Sequence, residues 1–159
     1  MTKPSFVYVT YIATTPDKVW QALVDIELMK QYWTGTGAKD IARVNVSDWK
    51  VGSKWEHVRA DGSEIVDVRG TVVEFTPPRR MVITWARPKE AEDESKHSLV
   101  TFDIEPQGDA LVRLTVTHAD LEKDPSMLNG ISNGWPSVLS NLKTLLETGR
   151  TLPRAAAAA

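Results

Sequence analysis

The sequence contains no cysteine. That removes thiolate nucleophiles, redox switches and cysteine-ligated zinc together, and it fits a reducing compartment. Neither sign of charge dominates: 19 Lys and Arg stand against 21 Asp and Glu, a net charge of −2. There is thus no basic footprint for nucleic acid or an anionic membrane. No apolar run approaches the ~20 residues of a membrane span, and the opening MTKPSFVYV lacks the apolar core of a signal peptide. The expected setting is cytoplasmic. Only three histidines occur, dispersed and without His-x-x-x-His spacing, so no metal site is expected. Gly35-Thr36-Gly37 follows no strand and precedes no Lys-Ser pair, which makes it a loop rather than a phosphate cradle. A Gly-x-Ser-x-Gly nucleophile elbow is also missing. No cofactor is implied.

What the sequence does have is six tryptophans and nine prolines in 159 residues. A chain of this length forms one domain and buries roughly 70% of its unfolded surface, so it needs no disulfide or metal. Residues 1–150 are assigned to that domain. Residues 151–159, ending in a low-complexity alanine run, are assigned to a disordered tail.

The run Phe6–Ala13 is rich in β-branched and aromatic residues and reads as a strand. Thr15-Pro16-Asp17 then offers a cap, a first-turn proline and an acidic residue for a short helix. A second short helix is expected over Ile26–Tyr32 with Asp25 as its cap. Six strand candidates follow, Asp40–Val46, Ser53–Arg59, Glu64–Phe75, Arg79–Ala86, Ser98–Glu105 and Leu111–His118. Tight turns separate most of them, which indicates an antiparallel meander. Pro88–Lys96 is charged and reads as a solvated, mobile loop. Trp135, Val138, Leu139, Leu142, Leu145 and Leu146 form a helical stripe, with Asn133 as cap, Pro136 in the first turn and Gly149 at the C-terminal end. Strand, two helices, six strands and a long helix make an α+β helix-grip fold: a curved antiparallel sheet of six to seven strands around the C-terminal helix.

Six blocks carry a resemblance to a known family: TTPDKVWQALVDIELMKQYW, WKVGSKWEH, GTVVEFTPPRRMVITW, SLVTFDIEPQG, LTVTHADL and GWPSVLSNLKTLLETG. In this order, from Phe6 to Gly149, the chain resembles the activator of heat-shock protein 90 ATPase homologue-like family, part of the START-like helix-grip superfamily. The resemblance implies the fold. For function it spans lipid carriers, hormone receptors, polyketide cyclases and co-chaperone domains, and stress response is among the expectations.

Period-two alternation indicates which side chains face the helix. It turns Trp55 and His57, then Met81, Ile83 and Trp85, then Val100, Phe102 and Ile104, and finally Val112, Leu114, Val116 and His118 inward. In Glu64–Phe75 the phase breaks, and a bulge at Gly70 would mend it. Trp20 is assigned to the core and His97 to solvent. Trp33, Trp55, His57, Met81, Ile83, Trp85, Phe102, His118, Trp135 and Leu139 are the candidate ligand-binding residues; each also has a plain reading as core.

Three functions compete. The first is a binding module for a small apolar, aromatic or lipid-like molecule held between sheet and helix. The second is a chaperone-associated interaction domain. The third is a cyclase-like enzyme using His57, His118, Asp67 or Arg69, for which no catalytic set converges. A homodimer and a chaperone partner stay open.

Overall fold

The computed structural model describes residues 5–154 except 36, 38 and 125. Three sequence expectations therefore fall partly outside the described residues: the loop at Thr36, the first four residues, and Ala155–Ala159 of the tail.

The chain runs β1 (Phe6–Ile12), α1 (Pro16–Val24), α2 (Ile26–Tyr32), β2 (Arg43–Ser47), β3 (Lys54–Arg59), β4 (Val66–Thr76), β5 (Arg80–Trp85), β6 (Ser98–Pro106), β7 (Val112–Ala119) and α3 (Met127–Thr148). The strands form one antiparallel sheet in the order β1-β7-β6-β5-β4-β3-β2, so β1 crosses to pair with the last strand. This is the expected α+β helix-grip arrangement. Local chemistry starts and stops the helices. Thr15 Oγ1 accepts from the Lys18 N–H at the start of α1, and Asp25 accepts from the Glu27 and Leu28 N–H groups at the start of α2. Gly149 closes α3 at φ 79°, returning its N–H to the Leu145 carbonyl.

The inward faces match the alternation. Trp55, His57, Met81, Ile83, Trp85, Val100, Phe102, Ile104, Val112, Leu114, Val116 and His118 are all buried against α3 and the short helices. Four details differ. α3 begins at Met127, one and a half turns before Asn133, so Pro136 lies inside the helix rather than in its first turn. The tertiary burial of Ile131 and Trp135 holds this stretch helical despite two glycines and a proline. The phase break of β4 is set at Val73, not Gly70: Val72 pairs with Ile83 and Glu74 with Val82, leaving Val73 as the extra, outward residue. Gly70 serves another purpose. Trp55 passes over it to donate from Nε1 to the Thr84 carbonyl at 2.8 Å, and a Cβ there would collide with both groups. Finally, His97 is half-buried and bonds the Ala91 carbonyl, within a segment that folds into two short 3-10 turns.

After α3 the chain folds back on itself. The Leu152 N–H reaches Asn141 Oδ1 at 2.9 Å, and Arg154 donates to the Gly37 and Asp40 carbonyls.

Candidate functional site

Strand alternation delivers Trp55 and His57 from β3, Trp85 from β5, Phe102 from β6 and His118 from β7 to one region under α3. Trp135 descends from the helix, and Trp33 enters from the C-terminal end of α2. Their rings form one continuous cluster. Centroids are 5.3 Å apart for Trp33 and His57, 5.3 Å for Trp55 and Trp85, 5.5 Å for Trp85 and Trp135, and 5.8 Å for Phe102 and Trp135. Tilted and edge-to-face contacts of this kind add to the burial energy. Trp20 belongs to a separate group, packing edge-on against Phe75 at 5.0 Å.

The two histidines of the cluster are buried on different terms. His118 is 0% exposed. Trp135 Nε1–H donates to its Nδ1 at 3.2 Å, which places the imidazole proton on Nε2. That N–H donates to Ser98 Oγ at 2.7 Å, and Ser98 in turn donates to the Trp85 carbonyl at 3.0 Å. Every polar atom of this chain is used, and burial pushes the His118 pKa down to about 4.

His57 faces Asn45 across the β2–β3 pair, its Nδ1 2.6 Å from Asn45 Oδ1. A carboxamide oxygen only accepts, so Nδ1 carries the proton and Nε2 is a lone pair. That lone pair has no partner among the described residues. Burial, reinforced by Arg43 and opposed by Asp67, pushes the His57 pKa down to about 3.

Above His57 a cleft of about 670 Å³ opens between β2–β4 and the first half of α3. Trp33, Trp85, Trp135, Val68, Ile131 and Val138 supply its apolar wall, and Arg43, Asp67 and Arg87 its polar rim. Asp67 is there because of a register slip: His57 pairs with Val68 and Val58 with Val66, so Asp67 is the surplus residue of β4. It accepts from Arg43 Nε at 2.7 Å and from Arg59 Nη2 at 2.9 Å. Hydrogen bonds from Arg59 and Arg43 hold its pKa down at about 2. Arg87 is tied to Asp124 and Ser126 at 2.8 and 2.7 Å. Gly130 and Gly134, one turn apart on α3, line the cleft as well; a Cβ at either would meet nothing within 4 Å. Part of the open space is therefore the side chains these glycines lack.

Of the ten residues singled out from sequence, Trp33, His57, Trp85 and Trp135 line this cleft. Trp55, Phe102 and His118 complete the aromatic cluster behind it. Met81, Ile83 and Leu139 lie in the packed core. Arg43, Arg87, Gly130, Gly134, Ile131 and Val68 are cleft residues that pattern reading did not select. Of the residues named for a cyclase-like reaction, His57 and Asp67 both line the cleft, whereas Arg69 and His118 do not. Arg69 pairs with Glu56 at 2.8 Å away from this cleft, Asp67 stays ionised, and His118 has no free nitrogen. Among the described residues no three His, Asp or Glu side chains gather as metal ligands. Among the described residues no helix is long and apolar enough to cross a membrane.

Residues 13–147 match the family model described as activator of Hsp90 ATPase homolog 1-like protein. No curated protein matches the chain. Among solved structures, an HSP90 activator from Plasmodium falciparum is 21% identical, with 89% of this chain and 95% of that one covered at a TM-score of 0.66. The Aha1 dimer from Colwellia psychrerythraea is 20% identical over 92% and 98% of the two chains, at 0.67. A protein from Cytophaga hutchinsonii is 23% identical over 94% and 98%, at 0.68. At these identities the structures share the fold.

Proposed function

This chain belongs to the activator of Hsp90 ATPase homolog 1-like family, and we propose that it acts as a binding module for a small, flat, largely apolar molecule seated in the cleft under α3. The observation that carries the reading is the cleft itself. Its volume of about 670 Å³ lies within the range of small-molecule sites, and its wall is aromatic with a few polar groups at the rim. Gly130 and Gly134 keep the helix side of that space unfilled. The test is a titration with bicyclic aromatic compounds, read as saturable quenching of tryptophan emission. Gly134→Leu, which projects a side chain into the cleft, should abolish the quenching while the domain stays folded. No saturable response, or a response that Gly134→Leu leaves intact, would sink the reading.

A second reading rests on the family's description and on the Plasmodium falciparum relative: an interaction domain acting on the Hsp90 ATPase. At micromolar concentration the expected effect of this protein on chaperone ATP turnover is marginal. A several-fold stimulation would put the second reading first.

A further inference from the structure

The residues that follow α3 are bonded to one end of the cleft. Gly149 reverses the chain at φ 79°, and the Leu152 N–H then reaches Asn141 Oδ1 at 2.9 Å, eleven residues back along the sequence. Asn141 is 2% exposed, and the other end of its carboxamide, Nδ2, donates to the Thr34 carbonyl at 3.3 Å. One buried side chain thus joins the returning chain to the residue after Trp33. Arg154 makes a second tie. Its Nη1 donates to the Gly37 and Asp40 carbonyls at 3.0 and 2.6 Å, and its Nη2 to Thr34 Oγ1 at 3.1 Å. A planar guanidinium meets several acceptors in one fixed geometry, which the point charge of a lysine does not. The acceptors belong to the cleft, since Trp33, Thr34, Gly35 and Asp40 all line it. Asp40 is exposed, so this part of the lining is the mouth. Gly37 is tied to it twice, its N–H donating to Asp40 Oδ2 at 2.7 Å and its carbonyl accepting from the Asp40 N–H at 3.1 Å. Asn141, Leu152 and Arg154 themselves do not line the cleft.

Building on the cleft reading above, we propose that residues 150–154 form a strap that sets the mouth of the cleft, with Arg154 a positioning residue that acts through Thr34, Gly37 and Asp40. Its bonds are of a kind that opens readily. Those from Arg154 to the two carbonyls are exposed, so water competes for both groups. A single bond of this sort changes an opening equilibrium by about three- to tenfold. Asn141 behaves differently. Buried and bonded at both ends of its carboxamide, it holds Thr34 while Arg154 lets go. Release therefore frees Gly37 and Asp40 and leaves Trp33 and the aromatic wall seated. Ligand passes with the strap off and is retained with it on. A strap bonded alike over the empty and the filled cleft alters the rates of entry and exit together and not their ratio.

The test is stopped-flow quenching of tryptophan emission by 2-naphthol. Arg154→Ala should raise the association and dissociation rates by about three- to tenfold each. The equilibrium constant should stay within about twofold. Arg154→Lys keeps the charge and loses the fork, so it should follow the alanine variant. Arg150→Ala removes a charge from the same segment and should leave both rates as they are. A second readout needs no ligand. Amide exchange at Gly37 and Asp40 should quicken by a similar factor in Arg154→Ala, while the Leu152 amide, held by Asn141, keeps its protection. Saturable binding with unchanged rates, unchanged exchange at Gly37 and Asp40, or full rescue by lysine overturns the strap and leaves the cleft reading standing. Failure of 2-naphthol to saturate on the unmodified chain overturns the cleft reading, and the strap's part in admitting ligand with it.

Discussion

His57 and His118 stand on opposite sides of one aromatic cluster, both neutral and both nearly closed to solvent, but the protein satisfies them differently. His118 sits where β6, β7 and α3 meet. Both of its nitrogens are consumed by Trp135 and Ser98, and through Ser98 it reaches the backbone of β5. His57 sits where β3 meets the short β2, with one nitrogen spent on Asn45 and the other without a partner among the described residues. The closed side is a structural joint. The open side leaves one imidazole nitrogen without a protein partner among the described residues, on a residue that lines the cleft.

The largest expected effect tests how the two sides are joined. Trp135 locks His118 through its indole N–H and also forms the cleft wall. Trp135→Ala should cost about 3–5 kcal/mol by urea unfolding, the range for losing a packed aromatic. A cost under about 1 kcal/mol would place Trp135 at a loose rim and break the joint apart. Acid should act on both sides together. Each folded-state pKa lies below the ordinary 6.5, so below pH 6.5 the unfolded chain binds more protons than the folded one, and stability falls with falling pH. The loss from this source is complete near pH 4 for His118 and near pH 3 for His57. Between pH 7 and pH 5 it should amount to about 2 kcal/mol for each histidine. Stability that is flat over this interval would mean that neither side is as closed as described.

Single substitutions separate the two. His118→Ala strands the Trp135 donor and breaks the link to Ser98, and should cost about 1–3 kcal/mol. His57→Ala strands only Asn45, beside a cleft that water can enter, and should cost about 1 kcal/mol. Equal losses in the two variants would erase the distinction.

Much of this contrast was legible in the sequence, and the rest was not for identifiable reasons. Alternation turned both histidines, Trp55 and Trp85 inward, and helical spacing did the same for Trp20 and Trp135, because each lies on a regular strand or helix face. The start of α3 escaped, since Gly130, Gly134 and Pro136 depress helix propensity and only tertiary burial of Ile131 and Trp135 compensates. The break in β4 was visible, but its position was not: Gly70 looked like a bulge, yet it answers to Trp55 crossing from the neighbouring strand. Asp67 meets Arg43 across 24 positions of sequence, a pairing that depends on a register slip no local pattern encodes. The cleft itself is made partly of absent side chains, and an absence leaves no hydrophobic signal.

The smallest effect concerns those absences. Glycine within a helix costs roughly 0.5–1 kcal/mol relative to alanine, because the unfolded chain has more freedom to lose. At Gly134 a methyl group would meet no atom within 4 Å, so no clash offsets the gain. Gly134→Ala should therefore raise the urea midpoint by an amount equivalent to about 0.5–1 kcal/mol, and Gly130→Ala should do the same. Both methyl groups enter the cleft, so affinity for a bicyclic aromatic should fall as stability rises. That opposite movement sets the open side apart, since on the closed side any change that disturbs packing lowers stability. A Gly134→Ala protein that is more stable and binds as before would mean that the ligand does not sit against the first half of α3. A protein that is less stable would mean that Gly134 is already in close contact with a neighbour and that the cleft is narrower than 670 Å³.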